Sequence, residues 1–105
     1  MWAFLDKWLG DKTLGAERSP RWSSVRASYI ALHPSCAVCG TKSDCEVHHK
    51  VPFHINKMLE LREHNLITLC RDHHYLIGHL MSWRSYNIDV EKDARMLQDK
   101  IKTRP

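Results

Sequence analysis

The sequence predicts a small, zinc-stapled α+β fold: two short strands and a helix around a Cys/His centre, flanked by N- and C-terminal helices. Three observations predict it. All four Cys and seven of the eight His lie between Cys36 and His79, a clustering that points to metal rather than scattered packing. The apolar pattern along the chain runs from helical to strand-like and back to helical. A length of 105 residues allows one domain with a limited apolar core, which gains from a metal staple.

Residues 1–19 read as a peripheral segment. Trp2, Leu5 and Leu9 share helical spacing, which fits a short docked helix or, more simply, a hydrophobic staple or frayed tail. Residues 20–105 read as a single domain, with a core over about 36–82 and a C-terminal helix over about 89–102. Ser19-Pro20 is a good helix start. Trp22, Val25, Tyr29 and Leu32 continue with helical spacing, and Pro34 stops the helix. In Cys36-Ala37-Val38-Cys39-Gly40 the glycine permits the tight turn that aims both thiolates at one point. Residues 45–51 read as a strand ended by Pro52, and residues 53–64 as a long loop with a helical turn around 56–61. Residues 65–69 read as a second strand. A helical pattern follows from Cys70 to about Met81, and residues 83–89 connect it to the last helix. Val90, Ala94, Leu97 and Ile101 form the apolar stripe of that helix.

Composition narrows the class. Hydrophobic residues are 43% and charged residues 27% of the chain, which excludes collagen-like and wholly disordered classes. No apolar run reaches the roughly 18–20 residues that span a bilayer, so no membrane partner is expected. The formal charge is +4, carried by the flanks, while residues 36–80 are neutral before any metal binds. A divalent ion would make that centre positive, which suits a polyanion partner. The start of the chain is short and charged and lacks a cleavage site. The thiols are therefore expected in a reducing, cytoplasmic compartment, where metal is a better reading than disulfides.

Cys36-x-x-Cys39 and Cys70-x-x-His73 are two half-sites about thirty residues apart. Together they supply the four ligands of a closed tetrahedral zinc site. Cys45 reads as a small apolar residue rather than a ligand, and His33, His54 and His64 as surface or loop residues.

His48, His49, His74 and His79 remain, with Asn65 between them. The arrangement Cys-x2-Cys, then Glu46-Val47-His48-His49-Lys50-Val51-Pro52, then Asn65-Leu66-Ile67-Thr68-Leu69-Cys70-x-x-His73-His74 resembles the HNH endonuclease family, whose fold is the ββα-metal fold. The preceding helix and the stretch from His74 to Trp83 look most like its small bacteriophage and prophage members. The resemblance covers roughly residues 20–94.

The resemblance implies a metal-dependent DNA endonuclease. His49, Asn65 and His74 would be the lettered catalytic residues. His49 would act as general base, and Asn65 would hold the loop or orient His49. His48, His74 and His79 would bind the catalytic divalent cation. The zinc ligands map to Cys36, Cys39, Cys70 and His73. Products with 5′-phosphate and 3′-hydroxyl ends are implied, as is a role beside a phage terminase in the host cytoplasm.

The chemistry is consistent with this on its own terms. Neutral imidazole can accept a proton at cellular pH, and a divalent ion stabilises charge at a phosphate. Neighbouring strand residues face opposite ways, so His48 and His49 cannot both be ordinary ligands of one ion, which supports the split into ligand and base that the resemblance implies. His74 and His79 lie five residues apart, about 140° on an ideal helix. A π-bulge or a break near Gly78 would bring them together; otherwise His79 contacts phosphate or packs. An imidazole shell favours Mn²⁺, Ni²⁺, Co²⁺ or Zn²⁺ over Mg²⁺ by affinity, though Mg²⁺ can act through its abundance. Lys50 and Arg71 flank the cluster and are the leading DNA phosphate contacts, with low sequence specificity and a monomer expected. The alternative is a non-catalytic zinc-binding module for DNA or protein interaction.

Overall fold

The computed structural model describes residues 18–104; the reading of Trp2, Leu5 and Leu9 lies outside them. Helix α1 (Trp22–Leu32) is followed by the knuckle, strand β1 (Cys45–His49), a loop with two 3₁₀ turns (Lys57–Leu59 and Glu63–Asn65), and strand β2 (Leu66–Cys70). Helix α2 (Arg71–His73) runs directly into a π-helical turn (His74–Gly78), and helix α3 (Val90–Thr103) closes the chain. The result is a small α+β fold. Among the described residues no helix is long and apolar enough to cross a membrane.

The strands form one antiparallel pair, with Cys45 opposite Cys70, Val47 opposite Thr68 and His49 opposite Leu66. This register places both second-half-site ligands where β2 passes into α2. Each residue of β2 is buried, because the knuckle and α3 pack on the sheet. The core comprises Cys36, Val38, Ile67, Leu69, Cys70, Ile77, Val90 and Ala94. Two of its eight members are thus expected zinc ligands, so the apolar core is indeed small. The stripe of α3 docks as expected through Val90, Ala94 and Leu97, while Ile101 stays 41% exposed.

The elements end where backbone chemistry dictates. Ser19 Oγ accepts the Arg21 N–H, starting α1 two residues later than Pro20. The helix ends at Leu32, two residues before Pro34. Strand β1 ends at His49 rather than Val51: the Val51 N–H bonds the Asn65 side chain, which takes it out of strand pairing. Gly40 has φ +78°, the left-handed turn expected of it. Asn87 is buried and joins the end of the π-turn to α3. It donates to Ile77 O at 3.0 Å and accepts the Asp89 N–H at 2.9 Å.

Candidate metal centres

The first centre gathers Cys36, Cys39, Cys70 and His73, whose ligand atoms lie within 4.8 Å of one another. Cys39 Sγ is 3.9 Å from Cys70 Sγ, and His73 Nδ1 is 3.7 Å from Cys36 Sγ and 3.3 Å from Cys70 Sγ. A tetrahedral zinc with bonds of about 2.3 Å to sulfur and about 2.0 Å to nitrogen spaces two sulfurs by about 3.8 Å and a sulfur and a nitrogen by about 3.5 Å. The group can therefore hold a metal such as zinc. The knuckle is anchored to β2 by the Ala37 N–H on Thr68 O at 2.9 Å. Burial raises the Cys36 thiol pKa, but hydrogen bonds from backbone N–H groups and His73 outweigh it and bring the value down to about 7. Burial, joined by the neighbouring Cys36 and Cys39 sulfurs, pushes Cys70 up to about 11; a cation between them relieves that repulsion. Cys45 stays outside the group, donating to Thr41 O at 3.1 Å.

The second centre comprises His48, His74 and His79, again with ligand atoms within 4.8 Å of each other. His48 comes from β1, His74 opens the π-turn, and His79 follows it. The turn resolves the five-residue spacing: the His79 N–H reaches back to His74 O at 3.1 Å, an i→i−5 bond that widens the helix. The two Nε2 atoms then stand 3.2 Å apart. Imidazole ligands bonded at about 2.0–2.1 Å to one ion are separated by about 3.0–3.4 Å.

Outer contacts fix which nitrogen faces inward. His74 Nδ1–H donates to Glu46 Oε1 at 2.6 Å, and His79 Nδ1–H donates to Ser85 O at 2.8 Å. With Nδ1 the donor in each ring, the two Nε2 atoms turn toward each other, and a cation between them could take both lone pairs. His48 Nε2 is buried and has no hydrogen-bond partner among the described residues, a further sign of a ligand position. Burial, then the neighbouring imidazoles, pulls His48 well below the usual histidine range. Burial likewise takes His79 down to about 4. Both rings are thus neutral and ready to ligate at neutral pH. Glu46 lies below the usual carboxylate range because it accepts from His74, aided by Arg71 and Arg26. Trp83 walls the centre, 5.3 Å from His74 and 4.8 Å from His79 between ring centres.

Gly78 is needed for this closeness. A Cβ there would stand 3.2 Å from both His48 Cε1 and His74 Cδ2. Gly78→Ala is expected to weaken Mn²⁺ or Ni²⁺ binding at least about tenfold while zinc content is unchanged. Calorimetric titration checks this, and equal affinity would contradict it.

His49 faces away from His48, as strand alternation requires. Its Nε2–H donates to Glu60 O at 3.0 Å, and its ring packs 4.4 Å from Trp22. A carbonyl only accepts, so the neutral ring carries its proton on Nε2 and its lone pair on Nδ1. Burial, then the Arg18 cation, lowers its pKa to about 4. The hydrogen bonds of the Asn65 side chain among the described residues do not include His49. Asn65 clamps the loop instead, accepting from the Val51 N–H at 2.9 Å and donating to Val51 O and Leu59 O at 3.1 and 3.2 Å.

Of the two DNA-contact candidates, Arg71 is exposed at the start of α2. Lys50 Nζ lies 2.9 Å from Glu91 Oε1 of α3, so its charge is already paired. His33, His54 and His64 are exposed. The contacts that Glu46, Glu60, Trp22, Trp83 and the Ser85 carbonyl make with these histidines are not signalled by the sequence reading.

Comparison with protein-family models, curated proteins and solved structures yields no match for this chain.

Proposed function

We propose that the protein is a metal-dependent endonuclease of the HNH type, with a ββα-metal core built from β1, β2 and α2 and acting on DNA phosphodiester bonds. The observation that carries the reading is the second centre together with His49, the next residue of the same strand. Three imidazoles meet at that centre, and His49, on the opposite face of β1, is a fourth, neutral imidazole whose tautomer is fixed. A purely structural zinc module needs neither.

A divalent cation held by His48, His74 and His79 would supply positive charge at the scissile phosphate and the leaving oxygen. His49 Nδ1 accepts the proton of the attacking water. The Glu60 carbonyl stabilises the resulting imidazolium through the Nε2–H. Glu46 keeps the His74 ring turned with Nε2 inward. Arg71 offers a phosphate contact at the edge of α2, and Asn65 acts by positioning the loop rather than touching the reacting atoms. A role beside a phage terminase, and 5′-phosphate products, rest on the sequence resemblance alone.

The test is cleavage of supercoiled plasmid by zinc-loaded protein with Mn²⁺, Ni²⁺ or Mg²⁺. Nicked or linear product is expected, and His49→Ala is expected to lower the rate about 100- to 10,000-fold. Intact plasmid under all three ions would overturn the reading, leaving a non-catalytic module. Equal cutting by His49→Ala would remove the base assignment.

A further inference from the structure

We propose that Arg18 and Glu60 form a clasp that positions His49. The effect on rate rests on the nuclease reading above; the geometry does not.

Glu60 is a carboxylate on a surface loop, yet it is only 3% exposed. A carboxylate is buried at a cost unless its oxygens are satisfied. Both are: Oε2 accepts from Arg18 Nε at 2.8 Å, and Oε1 accepts from the Ser19 N–H at 3.1 Å. The side chain thus ties the segment before α1 to the loop, while the backbone carbonyl of the same residue holds His49 Nε2–H.

Arg18 works on a second side of the ring. Its guanidinium carbon lies 5.3 Å from the Trp22 ring centre and 5.1 Å from that of Phe53, within cation–π range. Trp22 in turn covers the face of His49. One cation therefore braces both the edge contact and the face contact of the same imidazole. Arg18, Trp22, Phe53 and Glu60 all lie outside the apolar core cluster, so core packing does not account for the arrangement. Asn65 on Leu59 O steadies the loop from its other end. Arg18 and Glu60 are positioning residues: neither needs to touch the substrate.

The experiment uses the full zinc-loaded chain with Mn²⁺, comparing wild type, Arg18→Ala, Arg18→Lys and Glu60→Gln. Plasmid cleavage kinetics are read together with ¹⁵N–¹H NMR of the His49 imidazole. Arg18→Ala is expected to lower kcat by about 10- to 100-fold with KM unchanged, and to convert a single Nε2–H tautomer into an averaged one. Arg18→Lys, which keeps the cation, is expected to recover part of kcat. If Arg18→Ala does not fold, the same kcat and tautomer changes are expected of Glu60→Gln. Unchanged kcat and tautomer would overturn the clasp. A rise in KM alone would also overturn it, by making Arg18 a phosphate contact. If the wild type cuts no DNA, the nuclease reading fails and the NMR comparison still decides the clasp.

Discussion

Cys36→Ser is expected to cost the protein its zinc and, with it, its fold. The two-stranded sheet cannot stand alone in water, and the core around it is small. Cys36 is 3% exposed and links the knuckle to the start of α2 through His73. Its sulfur also accepts the Val38 N–H at 3.4 Å, so the turn that aims Cys39 depends on the same atom. Structural zinc contributes about 10–16 kcal/mol of apparent binding free energy in zinc-finger peptides, more than the whole stability of a typical small domain. Loss of dispersed amide resonances and of zinc by elemental analysis is the expected result, reproduced in the wild type by a strong chelator. A folded, zinc-free Cys36→Ser protein would contradict the structural role. Acid should act the same way: the thiols must lose their protons to bind, so zinc affinity falls as pH falls.

His74→Ala is expected to separate the two centres. It removes one of three inward nitrogens of the second centre and leaves the four ligands of the first intact. Zinc content should hold at one ion per chain, while Mn²⁺ or Ni²⁺ binding and plasmid cleavage fall to background. The ring is 2% exposed and packed against His48, His79 and Trp83, so some loss of thermal stability accompanies the change. Glu46→Gln provides the milder companion. It keeps the shape but weakens the acceptor on Nδ1, and such outer contacts typically carry about 10- to 100-fold in metal affinity. Loss of both metals from His74→Ala, or full cleavage without the second ion, would contradict the division of roles.

Much of this arrangement was legible from spacing. The two-residue gaps of Cys36/Cys39 and Cys70/His73 specify ligands that reach one point, and the structure brings those four together. Strand alternation separated His48 from His49, because that rule depends only on backbone pleat. The five-residue step from His74 to His79 lets both reach one ion only through a wider turn or a break near Gly78, and a π-turn is present. What stayed hidden acts across the chain. Glu46 meets His74 from 28 residues away and Arg18 meets Glu60 from 42, and no local period reports such pairs. The Ser85 and Glu60 carbonyls are backbone atoms, on which residue identity is silent. Lys50 looked like a phosphate contact because its partner Glu91 sits on a helix whose docking angle the sequence does not encode locally.

The central claim is that one chain holds two ions in two separate centres. Anomalous diffraction from crystals of the zinc-loaded protein soaked in Mn²⁺, recorded at both metal edges, tests it most directly. One zinc peak among Cys36, Cys39, Cys70 and His73 is expected, with one manganese peak among His48, His74 and His79. A single shared site, or manganese only at surface carboxylates with the three imidazoles vacant, would contradict it.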